Sequence, residues 1–246
     1  MMWATLKSLW KQARRVAGSP RWHRPGYIPS AECLAASQRR WRGDETPAGL
    51  TWGVLMTGSS LWDCYCRSHR FTSSDRILEI GPGYGRVLET AINRQIPFAE
   101  FVAIDLSEAR ICRLRERYPS ERVRFEVGDA MVWRDGGLFN VAISSATFEH
   151  LYPDFRKTLN NLREQLRHGG QVMIDFIKSE TASAAFEPDT GAYVRAYTLD
   201  ELRQVFADSG FRIDTIEHCT LGVGAHGLPV ERFLVVGSPA ICVSDT

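Results

Sequence analysis

The stretch Arg76-Ile77-Leu78-Glu79-Ile80-Gly81-Pro82-Gly83-Tyr84-Gly85-Arg86-Val87-Leu88 constrains the fold more than any other part of the chain. Ile77, Leu78 and Ile80 form an apolar run too short for a helix and suited to a central parallel strand. Gly81, Gly83 and Gly85 follow at once, and a helical pattern starts at Tyr84. Glycine is used where the backbone must take a positive φ or where a ligand must come close to it. A strand feeding such a turn at the edge of an α/β sheet is where this architecture binds nucleotides and their relatives.

The spacing narrows the ligand. A dinucleotide fingerprint is G-x-G-x-x-G, with pyrophosphate at the helix N-terminus. Here the run is G-x-G-x-G, the sixth position is Arg86, and Glu79 sits two residues before the first glycine. A carboxylate there is awkward beside a pyrophosphate and suits a ligand with an ammonium and a sulfonium. In these residues the chain resembles the class I S-adenosylmethionine-dependent methyltransferases, whose first motif is acidic-x-G-x-G-x-G. A glycine turn that serves only packing is the competing reading.

Later positions bear on that resemblance. Phe101 to Ile104 reads as a second strand ending in Asp105, twenty residues after Gly85. An acid at that edge can accept both ribose hydroxyls, a use that charge strengthens; a turn residue ahead of the helix cap Ser107 is the alternative. Val123 to Val127 reads as a third strand, followed by Gly128-Asp129-Ala130. The resemblance implies that Asp129 accepts from the adenine amino group and that the Ala130 backbone N–H bonds the ring. Phe139 to Ser145 reads as a fourth strand, whose C-terminal edge faces the transferred methyl in the family. The implied cofactor is S-adenosyl-L-methionine, held by Glu79, Gly81, Gly83, Gly85, Asp105, Leu106, Asp129, Ala130 and Ser145.

Further on, Pro153 is placed to start a helix running to about Arg167 that Gly169-Gly170 ends. Gln171 to Ile177 reads as strand five, with an unusual Asp175 inside it. Residues 178–197 read as a polar insertion, long enough to be functional or mobile. Thr198 to Glu201 is a capping box opening a helix that ends at Ser209-Gly210. Phe211 to Glu217 and Val230 to Val236 read as strands six and seven, joined as a hairpin by a glycine-rich connection that includes His226. The expected fold is a three-layer, Rossmann-like α/β methyltransferase sheet of seven strands with an antiparallel last strand and an N-terminal helical extension. The expected domains are an N-terminal basic helix and cap segment over 1–59 and a methyltransferase domain over 60–246.

The extension is distinctive. Lys7, Lys11, Arg14, Arg15, Arg21 and Arg24 precede the first acid, Glu32. Met2, Leu6, Leu9, Trp10, Ala13 and Val16 fall at helical spacing. Three readings stand for this basic amphipathic stretch: packing on the domain, a peripheral membrane contact through residues 1–17, and a mitochondrial-type presequence. A helix over Ala31 to Trp41 follows, N-capped by Ser30, and another over about 60–70. Trp52, Trp62 and Tyr65 are candidates for lid or cofactor contacts, or for packing in a small cap.

The chain has 246 residues, 44% of them hydrophobic, and a net charge of +1. That fits one α/β domain with small additions and gives no global field for nucleic acid. Its six cysteines form no C-x-x-C pair, which points to reduced thiols and a cytoplasmic location, peripheral at a membrane if the first helix binds one. No apolar run approaches the ~18 residues a membrane span needs, and no His/Asp/Glu spacing argues for a metal.

Methyl transfer from a sulfonium is a direct displacement, so a protein mainly aligns the reactants and keeps water out. A hydroxyl acceptor also needs a base, and His150, in Phe148-Glu149-His150-Leu151, is the best-placed candidate. The competing reading is a histidine that holds the loop, with Glu149 as its local partner. Tyr152, Tyr193 and Arg195 are candidates to clamp a small-molecule or glycan acceptor. O-methylation of such an acceptor is the leading expectation. The alternatives are N-methylation, a non-catalytic interaction module on the same fold, and a nicotinamide oxidoreductase.

Overall fold

The structure is a computed structural model that describes residues 29–43, 59–181, 183–186, 192–223 and 229–240. The first described helices are α1 (Ala31–Arg42) and α2 (Ser59–Ser68). The alternating core follows: β1 (Arg76–Ile80), α3 (Arg86–Asn93), β2 (Glu100–Asp105), α4 (Glu108–Arg117), β3 (Val123–Val127) and β4 (Phe139–Ser144). A short 3-10 turn, Phe148–His150, leads to α5 (Arg156–Arg163) and β5 (Leu166–Ile177). After β6 (Ser183–Phe186) and β7 (Tyr193–Ala196) the chain closes with α6 (Leu199–Asp208), β8 (Phe211–Val223) and β9 (Pro229–Pro239).

Seven strands form one sheet in the order β3-β2-β1-β4-β5-β9-β8, and β6 and β7 pair separately. The first five in that order run parallel, while β9 is antiparallel to both β5 and β8. Alternation along the strands divides the core. Phe101 and Ala103 face a cluster containing Leu61, Trp62, Val87, Leu88, Ile111 and Leu114, supplied by α2, α3 and α4. Val102 and Ile104 face the opposite cluster, with Leu159 and Leu162 of α5 and Leu202 and Phe206 of α6. The period of two in a strand turns one run of apolar residues into the floor of both layers. β1 is central, paired with β2 on one side and β4 on the other. The winding reverses between them, so the crevice at their C-terminal ends is the place where such a sheet binds ligands.

Several expected elements differ. The Tyr152–Pro153 peptide is cis, and α5 starts only at Arg156, with Phe155 at its N-cap. The helix ends at Arg163, and Leu166 already pairs with Phe139 in β5. The next β5–β4 pair is Gln171 with Val141, so residues 167–170 bulge out of the ladder and Gly169 takes a φ of +75°. The glycines thus serve a strand bulge and not a helix stop. Residues 178–197, expected as a polar insertion, contain the β6–β7 hairpin, and Tyr193, Val194, Ala196 and Tyr197 are buried. Trp62 and Tyr65 belong to the core, with the Trp62 indole N–H donated to the Val87 carbonyl at 2.9 Å, so their packing reading is the correct one. The basic stretch 1–17, Trp52, His226 and Cys242 lie outside the described residues.

Candidate active site

The glycine turn leaves β1 with all three glycines at positive φ: +69° at Gly81, +56° at Gly83 and +83° at Gly85. They answer to different neighbours. A Cβ on Gly81 would stand 2.3 Å from Thr147 Oγ1, and one on Gly85 2.8 Å from Leu114 and Tyr118. A Cβ on Gly83 would meet nothing within 4 Å, so only its backbone conformation asks for glycine. Gly83 N–H points to Asp105 Oδ2 at 3.3 Å, and Ser107 N–H donates to Asp105 Oδ1 at 2.9 Å. Asp105 therefore ends β2 beside the turn, with Leu106 between it and the cap Ser107. Arg110, in the first turn of α4, brings Nη1 to 3.7 Å from the same carboxylate. Burial raises the Asp105 pKa, against the opposing pull of Arg110 and the backbone amides.

Glu79 lies buried on β1, and burial pushes its pKa up to about 8, with Arg86 pulling it down and Asp105 pushing it further up. Arg86 donates to Ser145 Oγ at 2.7 Å, and the neighbouring Ser144 hydroxyl donates to the Ile80 carbonyl at 2.8 Å. The end of β4 is thereby fastened to the glycine turn. Burial and the carboxylates of Asp175 and Glu79 drive the Tyr65 hydroxyl well above its usual range, so it is a neutral phenol. Asp129 follows β3 and accepts the Met131 N–H at 2.9 Å. The loop around it is held by the Asn161 amide, which donates to the Ala130 carbonyl at 3.0 Å and the Trp133 carbonyl at 2.7 Å.

On the other side of the crevice, His150 ends the 3-10 turn. Its Nδ1 lies 2.7 Å from the Tyr193 carbonyl. A carbonyl only accepts, so Nδ1 carries the proton and, in the neutral ring, Nε2 keeps the lone pair. Trp41 of α1 packs against the His150 ring at 4.3 Å, tilted by 44°, and also receives the Arg110 guanidinium at 5.7 Å from its ring centre. It thus bridges the two sides. α1 is pinned by the Tyr193 N–H donated to Ser37 Oγ at 2.9 Å and by the Ser107 hydroxyl donated to the Gly43 carbonyl at 3.1 Å. Tyr152 meets Tyr193 edge to face at 5.4 Å. The Arg195 guanidinium bonds the Pro153 carbonyl at 2.7 Å and Glu201 at 3.2 Å, and lies over Tyr197.

Glu149, next to His150, enters a buried ion cluster with Arg232 of β9 and Asp175 of β5. The Arg232 carboxylate distances are 2.7 Å to Glu149 and 2.6 Å to Asp175. Arg110, Arg232, Trp41 and Ser37 were not singled out from the sequence. The available signal for Arg232 was a cation opening an apolar strand run, Phe233-Leu234-Val235-Val236, paired with an acid, Asp175, inside another.

The crevice at the β1–β4 switch collects polar atoms that are sealed from water without a partner: Glu79 Oε2, Tyr84 Oη, Arg86 Nη1 and Arg110 Nε. Such groups are costly to leave unpaired, and a polar ligand bound beside the turn would give them partners. The set is an acid at a glycine turn, a second acid ending β2 and a third after β3. It fits S-adenosylmethionine, a cation with a ribose and an adenine. No group of three or more metal-ligating side chains occurs among the described residues.

The fold is that of the class I S-adenosylmethionine-dependent methyltransferases. A family model described as a methyltransferase domain matches residues 65–216, and the chain belongs to that family. A malonyl-[acyl-carrier protein] O-methyltransferase of Bacillus anthracis is 33% identical over 122 residues, which are 50% of this chain and 45% of that protein. A probable S-adenosylmethionine-dependent methyltransferase of Mycobacterium tuberculosis is 28% identical over 145 residues, 58% of this chain and 50% of that one. The chain spans about half the length of the curated relatives it matches. In fold it is similar to the Burkholderia thailandensis 1,6-didemethyltoxoflavin-N1-methyltransferase, solved with 1,6-didemethyltoxoflavin and S-adenosylhomocysteine. That likeness has a TM-score of 0.65 at 17% identity and covers 89% of this chain and 95% of that one.

Proposed function

We propose that this protein methylates an oxygen of a small-molecule or glycan acceptor, with His150 as the base. S-adenosylmethionine supplies an electrophilic methyl group on a sulfonium. On this reading Glu79, Gly81, Gly83 and Gly85 surround its methionine end, Asp105 and Leu106 its ribose, and Asp129 and Ala130 its adenine. Ser145 closes the site from β4. The observation that carries the acceptor side is the 2.7 Å contact of His150 Nδ1 with the Tyr193 carbonyl. It fixes a tautomer whose Nε2 can take a hydroxyl proton as the oxygen attacks. Tyr152 and Tyr193 then wall the acceptor, and Arg195, bound to Pro153 and Glu201, holds that wall in place. An O-methyltransferase among the relatives favours oxygen; N-methylation is the second reading, favoured by the fold neighbour.

The test is His150→Ala assayed on a panel of hydroxylated small molecules and glycans. The expected loss in kcat is about 10²–10⁴, with the affinity for S-adenosylhomocysteine kept. A variant that turns over normally sinks the base assignment. Among the described residues no helix is long and apolar enough to cross a membrane. The basic stretch 1–17 is part of the same proposal: it rests on an anionic membrane surface and brings the enzyme to a lipid-linked acceptor.

A further inference from the structure

The segment 145–150 has the Ser145 hydroxyl at one end and His150 at the other, and a single guanidinium ties both ends. Arg232 Nη2 lies 2.7 Å from Glu149 Oε1, and Nε lies 2.9 Å from Asp175 Oδ1. The same Asp175 oxygen accepts the Ala146 N–H at 3.1 Å, at a residue with a φ of +54°. No side chain of the three is more than 5% exposed. Burial lowers the Arg232 pKa, but Glu149 and Asp175 more than reverse this, so the group stays charged.

Stability is a poor reason for this arrangement. A buried ion cluster is often no better than apolar side chains of the same volume. Here two carboxylates share one cation, and Glu149 Oε2 and Asp175 Oδ2 remain sealed without partners. What the cluster does supply is direction. A guanidinium is a planar fork whose donors point along fixed lines, so it dictates where both carboxylates sit. Glu149 precedes His150 by one residue. Asp175 holds the backbone at Ala146, four residues before it.

We propose that Arg232 is a positioning residue, acting through Glu149 and Asp175 to set the segment 145–150 so that His150 keeps its Nδ1–H on the Tyr193 carbonyl and its Nε2 lone pair for the acceptor. This rests on the reading of His150 as the acceptor's base, but its own readout is the ring's tautomer, which needs no acceptor. The experiment is ¹⁵N NMR of the histidine-labelled full chain, with His150 assigned through His150→Gln. Arg232→Lys keeps the charge and removes the fork. Phe98→Ala is the control: it opens the core ahead of the N-terminal end of β2, away from the crevice, and lowers Tm without touching the ion cluster.

In the unsubstituted protein His150 is expected as the Nδ1–H tautomer. In Arg232→Lys the ratio of Nδ1–H to Nε2–H tautomer falls about tenfold, the equivalent of one neutral hydrogen bond. Phe98→Ala leaves the ratio unchanged at its lowered Tm. The proposal is overturned if Arg232→Lys keeps the ratio, if Phe98→Ala loses it equally, or if the unsubstituted ring is not the Nδ1–H tautomer. The His150→Ala kinetics decide the role of the base separately, so failure of one reading does not pass for failure of the other.

Discussion

Glu79 makes the crevice sensitive to pH. Its pKa rises from 4.5 to about 8 in the folded chain, so folding takes up a proton between those values. Its contribution to stability is therefore complete below 4.5 and is lost as the pH rises toward 8. A cationic donor prefers the ionised carboxylate, so affinity should run the other way, rising with pH and levelling off above about 8. Calorimetry of S-adenosylmethionine binding across this range should show the rise in the native protein and its absence in Glu79→Gln. An affinity independent of pH in the native protein would falsify the assignment. Asp105→Asn should weaken S-adenosylhomocysteine binding about tenfold or more, by ~1.5–3 kcal/mol of charge-assisted bonding; unchanged titration would remove Asp105 from the ribose site. The positions of the three acids could be read from the sequence, because Glu79 lies on the strand that feeds the glycine turn, Asp105 ends the next strand and Asp129 follows the third. Arg110 was not, because its partnership with Asp105 depends on how the first turn of α4 is capped by Ser107. Trp41 meets His150 from over a hundred positions away.

The glycine turn is an element whose members tolerate change unequally. Gly81→Ala places a methyl on Thr147 and also keeps a positive φ, so it should lower Tm sharply. Gly83→Ala meets no atom within 4 Å, which leaves only the left-handed conformation to cost about 1–2 kcal/mol. Thermal melts of the pair, compared with the native chain, decide it; equal losses would mean that the Thr147 contact yields. The capping box was read correctly, with both of its hydrogen bonds made by Thr198 and Glu201. The stretch after β4 was misread. Leu159, Leu162 and Leu166 keep helical spacing across the end of α5, while Leu166 already belongs to β5. Apolar spacing alone cannot mark that boundary, because the same buried layer receives both elements.

For the whole molecule, the succession of strands and helices was readable from their alternation, and the hairpin of β8 and β9 from the glycine-rich link that joins them; the order of strands within the sheet was not. What the alternation could not reveal was the hairpin within 178–197, whose residues become buried only once β7 meets the 3-10 turn and α1. At this scale the basic stretch 1–17 also has its test. The full chain should sediment with anionic vesicles and a shortened chain starting at Tyr27 should not, with roughly 1 kcal/mol of attraction per cation near the surface. Equal sedimentation of the two, or none of either, ends the membrane proposal.

The Arg232–Asp175 pair is also an error check on assembly. β9 docks between β5 and β8, with Arg232 opposite Ile177 and Leu234 opposite Asp175, so the two charges meet diagonally. A slip of one residue turns Arg232 to the opposite face of the sheet, and a slip of two carries it ~7 Å along the strand. Either error parts the cation from Asp175 and Glu149 and leaves buried charges of both signs without partners. The native alignment of the last described strand is therefore favoured over its nearest neighbours by charge as well as by packing.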